Sequence, residues 1–155
     1  MTELEETLEQ AAQILGGWAC ATETSRPEPH RIDAALQSAQ DLVPLVTGLR
    51  VKRLGRLTAI TGMDLGPEAG EMEVLYHFCV GRAVITLRVR TPREDPVVPS
   101  LSGIIPSAEV FERELAEMFG VRLEGLPDPA RLYLPDDWPE GVYPLRKDFD
   151  ATTLT

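Results

Sequence analysis

Cysteine and histidine are almost missing from this chain. Its 155 residues hold two of each, Cys20, Cys79, His30 and His77, with no CxxC pair. Ligands so few and so scattered do not assemble a four-ligand zinc or iron–sulfur site. The expectation is no metal in this chain and two buried free thiols, since free cysteine packs as a small hydrophobe. Long apolar runs are missing too. None approaches the roughly 20 residues that span a bilayer. No glycine-rich phosphate loop is present, because "GGWAC" and "LGPEAG" lack the strand-to-helix setting of a dinucleotide fingerprint. Positive charge is short, with 15 Lys and Arg against 25 Asp and Glu and a net charge of -10. That balance excludes a protein that tracks nucleic-acid phosphates. The opening "MTELEETLEQ" is acidic and amphipathic, unlike a secretory signal, so a cytoplasmic location is expected.

What is present points to one domain's worth of chain, enough to bury roughly 70% of its unfolded surface. Leu4, Leu8, Ala11 and Leu15 mark a helix ended by Gly16-Gly17. "GWACAT" reads as a short strand and "TSRPEPHR" as a proline-punctuated loop. Ile32, Leu36, Ala39 and Val43 predict a second helix from Ile32 to Val46, with Pro44 disturbing its end. "RLTAITGMD" reads as a strand. "EMEVLYHFCV" and "AVITLRVR" both alternate with period two and meet at Gly81-Arg82, which predicts a hairpin with one core face and an Arg88/Arg90 face turned outward. "TPREDPVVPSLSGIIPS" carries four prolines and should run extended over the surface.

The run "SAEVFERELAEMFG" then predicts a helix between Ser107 as N-cap and Gly120 as the terminating glycine. Phe111, Leu115, Met118 and Phe119 share one face, while Glu109, Arg113 and Glu117 are spaced for an ion-pair ladder. A free-standing enzyme using these carboxylates would want a His, Lys or Cys beside them, and a carboxylate metal site would want a Glu-x-x-His element. Neither is there, which leaves a solvated face or a docking face. From Leu126 onward the chain lacks periodicity and holds five prolines, yet it keeps Leu126, Leu132, Leu134, Trp138, Val142, Tyr143, Leu145 and Phe149. A disordered tail would be poor in such residues, so this segment should lie against something. The division expected is a globular part over 1–125 and an extended docking arm over 126–155. The fold class is α+β, a small mixed or antiparallel sheet with helices packed on it.

Several linked motifs carry a resemblance over roughly positions 55 to 149. They are Pro99-Ser100, Glu112-Arg113-Glu114, Glu117-Met118-Phe119-Gly120, Gly125, Pro127-Asp128 and Pro144-Leu145-Arg146-Lys147-Asp148-Phe149, preceded by "LTAITGMD" and "EVLYHF". In this order they resemble the 30-kDa-subunit family of respiratory complex I, the NADH:quinone oxidoreductase. The resemblance implies a peripheral-arm subunit of a redox-driven ion pump, part of an oxidoreductase complex without a catalytic site or cofactor of its own. Its implied partners are a large 49-kDa-type or nickel–iron hydrogenase-type subunit, a small iron–sulfur subunit and, through them, a membrane arm. The partners would carry the iron–sulfur clusters and a quinone or nickel–iron site. The arm would lie across the large subunit, with Glu112, Arg113, Glu114, Trp138, Leu145, Arg146, Lys147, Asp148 and Phe149 as interface residues. An Arg113–Asp148 pair within the chain is the alternative role for those charges. Leu126 and Tyr143 stand where complex I members carry histidine, and "LPDDWPEGVYPLRKDF" is worded more like the module of membrane-bound energy-converting hydrogenases and formate hydrogenlyases. The reading therefore leans toward the hydrogenase branch, with the 30-kDa subunit of a standard NADH:quinone oxidoreductase as the alternative.

Overall fold

A computed structural model describes residues 1–17, 23–128 and 130–154. Helix α1 spans Glu3–Gly16. Its first turn is fixed by a capping box in which Thr2 and Glu5 exchange side-chain-to-backbone hydrogen bonds. Strands β1 (Glu23–Glu28) and β2 (Arg31–Ala35) precede α2 (Leu42–Val51). Strands β3 (Arg56–Asp64), β4 (Glu71–Val80) and β5 (Ala83–Pro92) follow, then β6 (Val97–Pro99), α3 (Ala108–Phe119) and β7 (Arg122–Glu124). The architecture is α+β with a mixed five-stranded sheet in the order β1-β2-β5-β4-β3 and a separate parallel pair, β6-β7. β2 runs parallel to β5 and antiparallel to β1. β4 and β5 are neighbours joined by two residues, which only an antiparallel pair allows.

Contacts divide the chain into two units, 1–61 with 74–90 and 62–73 with 91–155. The expected boundary at 125/126 is therefore not a unit edge, because the arm groups with α3 and the ends of three strands. In the first unit α1 packs on α2 and β2 through Leu8, Ala11 and Leu15, and α2 contributes Leu42, Leu45, Val46 and Leu49. Ala83, Ile85, Leu87 and Val89 point inward from β5 as the alternation predicts, and Arg90 is exposed.

Four local expectations are corrected. The polar stretch 23–28 is strand β1, every residue exposed; an edge strand with no buried face leaves no period to read. The predicted helix at Ile32 is strand β2 as far as Ala35, with Ile32, Asp33 and Ala34 all buried. Parallel pairing with β5 overrode a fortuitous helical spacing, and Pro44 lies in the first turn of α2, where its missing N–H costs nothing. β4 is buried on both faces from Met72 to Tyr76 rather than on one, while Cys79 near its end is exposed. The proline-rich 91–107 includes β6 and buries Val98, Leu101 and Ile105. The strand expected in "GWACAT" and Cys20 lie outside the described residues.

Candidate docking surface

The second unit is organised around α3. Ser107 occupies the N-cap position without a side-chain cap, and Gly120 ends the helix at φ 74° in the left-handed region. Glycine is required there twice over, because a Cβ would also strike the Tyr143 ring. The buried positions of α3 are Ala108, Glu112, Leu115 and Glu117, whereas Phe111, Met118 and Phe119 are half-buried or better. The expected apolar stripe is thus shared with two carboxylates. Phe119 and Leu115 rest on the backbone of Gly62, where a Cβ would stand 2.6 Å from the ring.

Each buried carboxylate binds backbone that has no ladder. Glu112 accepts from the Ser100 hydroxyl at 2.6 Å and from the Leu101 N–H. Burial pushes its carboxyl above the usual range. Glu117 accepts from the N–H groups of Leu132 (2.9 Å), Tyr133 (2.9 Å) and Leu134 (3.0 Å) in the arm. Three successive amides closing on one carboxylate form an anion-holding nest filled by the molecule's own side chain. Arg113 donates Nε to the Ala130 carbonyl (2.9 Å) and Nη2 to the Arg131 carbonyl (3.0 Å). These bonds replace the expected Glu109–Arg113–Glu117 ladder and the Arg113–Asp148 pair. In the absence of a ladder, side chains of α3 satisfy the arm's polar backbone.

The end of the arm is fastened elsewhere. Asp64, its side chain 1% exposed, accepts two bonds from Arg93 (2.7 and 2.9 Å), one from the Gly66 N–H and one from the Lys147 N–H, both 2.9 Å. The Arg93 guanidinium holds the Asp64 carboxyl far below the usual carboxylate range, and Asp64 in turn raises Arg93. Arg93 also reaches Asp148 at 3.0 Å. Arg146 donates to the Phe119 carbonyl at 2.7 Å while its guanidinium lies 4.8 Å above the Tyr143 ring.

Of the residues expected at an interface, Glu112 has its side chain in the interior and Arg113 is half-buried against the arm. Trp138 donates its indole N–H to the Val142 carbonyl at 2.8 Å and stacks on Phe149, centroids 6.2 Å apart. Phe149 is half-buried, and Asp148 is exposed but paired. Glu114 and Lys147 are exposed, as is Leu145 at 54%. Sequence reasoning missed Asp64, Arg93 and Glu117 as fasteners, and it missed exposed Tyr133 (61%) and Val110 (46%). The motif ending in Asp64 was visible; its partners 29 and 83 residues away were not.

A cradle of about 380 Å³ lies between α3 and the arm, lined among others by Arg113, Arg131, Trp138 and Tyr143. Among the described residues no group of three or more His, Cys, Asp or Glu side chains is placed to hold a metal, and no helix is long and apolar enough to cross a membrane.

The sequence profile of the family described as "Respiratory-chain NADH dehydrogenase, 30 Kd subunit" matches residues 36–154. The protein belongs to this family. It is 52% identical over 87 residues to the membrane-bound hydrogenase subunit beta of Pyrococcus furiosus, a match covering 55% of this chain and 50% of that one. It is 38% identical over 125 residues to an NADH-quinone oxidoreductase subunit of Moorella thermoacetica, covering 79% and 82%. The match thus spans half the length of the first relative and most of the second. The fold is shared with a polypeptide in the structure of the membrane-bound sulfane sulfur reductase, an archaeal respiratory membrane complex, at TM-score 0.78 and 26% identity over 99% of this chain and 89% of that one. The likeness read from the motifs is thereby established at family level.

Proposed function

We propose that this chain is a non-catalytic scaffold of the peripheral arm of a redox-driven ion-pumping membrane complex. It docks the large 49-kDa-type or nickel–iron hydrogenase-type subunit through the outer surface of the arm and α3. The observation that carries this reading is the fastened arm. Residues 126–154 have little regular structure, yet Asp64, Arg93, Arg113 and Glu117 hold them in one shape while Tyr133 and Leu145 stay exposed. A segment fixed in this way, with Tyr133 and Leu145 exposed on it, is preorganised for a partner, because its ordering cost is met before binding. Electron transfer belongs to partners that carry iron–sulfur clusters and a quinone or nickel–iron site. The complex meets the membrane on its cytoplasmic face through those partners.

The hydrogenase branch is favoured by the 52% identity to the Pyrococcus furiosus subunit. The wider coverage of the Moorella thermoacetica relative supports a standard NADH:quinone oxidoreductase as the second reading. Purifying the complex on a tagged copy of this protein separates them: nickel in the preparation supports the first, a flavin-binding NADH module the second. The docking claim is tested with Tyr133→Asp and Leu145→Asp together. Each exposed anchor is worth roughly 2 kcal/mol at an interface centre, so recovery of the large subunit should fall by at least about tenfold with the fold intact. Undiminished recovery would overturn it.

A further inference from the structure

The two edges of the five-stranded sheet are built differently. β1 closes one edge with Glu23, Arg26, Pro27 and Glu28 among its six exposed residues, and its pairing with β2 is irregular between Ser25 and Glu28. Charge, proline and a bulge are the devices by which a natural edge refuses another strand. β3 closes the other edge, and its stretch Arg56 to Thr61, "RLTAIT", has no proline and no acidic residue. Leu, Ile and Thr there favour extended pairing.

Next to this unguarded edge the charge of the molecule reverses. Arg50, Lys52, Arg53 and Arg56 fall within seven residues, running from the last turn of α2 into β3, and all four are exposed. Among the described residues none of them forms an ion pair. The helix dipole favours cations at the end of α2, but Arg53 and Arg56 stand beyond that helix. Four unpaired cations in a protein of net charge -10 mark a local surface that attracts what the rest repels.

We infer that β3 is a strand-acceptor edge: an extended acidic segment of a partner subunit adds to Arg56–Thr61 as a sixth strand, its carboxylates facing Arg50, Lys52, Arg53 and Arg56. Backbone pairing supplies the attachment and the cations choose the strand. A second copy of this protein is disfavoured as occupant, since two bodies of charge -10 repel. The inference rests on the protein being a subunit, and it concerns residues of the first unit alone.

The test compares the isolated protein with the complex purified on it. Amide exchange at 57–61 should slow at least roughly tenfold in the complex. Successive N–H groups on a strand point to opposite sides, so one of Ala59→Pro and Ile60→Pro removes an outward donor and leaves the pairing with β4 intact. That variant should fold and lose partner recovery about tenfold. Reversing Arg50, Lys52 and Arg53 to Glu should do the same without touching the strand. Unchanged exchange at 57–61 in the complex, or full partner recovery by the charge-reversed variant, overturns the inference. A dimer of the isolated protein in sedimentation that protects 57–61 overturns it as well. If the Tyr133/Leu145 variant fails to release the large subunit while these outcomes hold, the arm reading falls and this one stands.

Discussion

The two units solve the same problem with different chemistry. In residues 1–61 and 74–90, helices and strand ladders pair the backbone, and the interior is filled by side chains such as Leu45, Ile85, Leu87 and Phe78. In residues 62–73 and 91–155 a long arm has no ladder, and Asp64, Glu112 and Glu117 enter the interior to accept its amides or those of the loop before α3. A buried backbone donor must find a partner, and where no strand lies alongside, a carboxylate is a compact acceptor of several bonds. The interior of the first unit is mostly hydrocarbon, with Asp33 buried between Arg31 and Arg88 as a charged exception. In the second, fixed charge gives a particular shape to a segment that has little regular structure to impose one.

The sharpest way to break this contrast is Asp64→Ala set against Leu87→Ala. Removing one partner of a buried pair costs about 3–5 kcal/mol, with the lower end expected here because Arg93 keeps the exposed Asp148 as a partner. Deleting a buried leucine costs about 2–5 kcal/mol through the cavity. Segment-resolved amide exchange should show Asp64→Ala releasing 145–149 and Leu87→Ala loosening the strands of the first unit. Equal loosening of both units by either change would erase the distinction.

A step smaller is Glu117→Ala. It strips three amides of their acceptor and should cost about 2–3 kcal/mol in denaturant unfolding, with faster exchange at Leu132, Tyr133 and Leu134. Glu117→Gln keeps an acceptor oxygen and should lose less. If alanine and glutamine behave alike, the carboxylate is not what orders the arm.

The smallest effect concerns pH, where Asp64 and Glu112 run in opposite directions. Asp64 is lowered by Arg93, so its contribution is present above the unfolded carboxylate range and is lost only as pH falls through its lowered folded value. Glu112 is raised by burial, so its contribution is fully present below its unfolded value and is lost as pH rises through its folded value. Glu112→Gln should remove that second decline and flatten the stability profile above the ordinary carboxylate range. A profile unchanged by the substitution would mean that Glu112 does not titrate differently on folding.

What could be read in advance follows the physics of each signal. The β4/β5 hairpin and the limits of α3 were legible because alternation, a two-residue turn and a left-handed glycine are local. β1 was missed because it buries nothing, and β2 because a strand buried on several successive residues has no alternation. The interface candidates were named from linked motifs, and the structure redistributed them: Glu112 inward, Arg113 onto the arm, Leu145 and Lys147 outward.

By itself, then, the sequence determined the α+β class, the family, the hairpin and the presence of an apolar arm after α3, since each depends on residues close together or on a linear order of motifs. Only the tertiary structure decided which charges face inward. An ion pair such as Asp64–Arg93, or a carboxylate meeting amides 15 to 17 residues away, depends on distances that the folded backbone sets and no periodicity encodes.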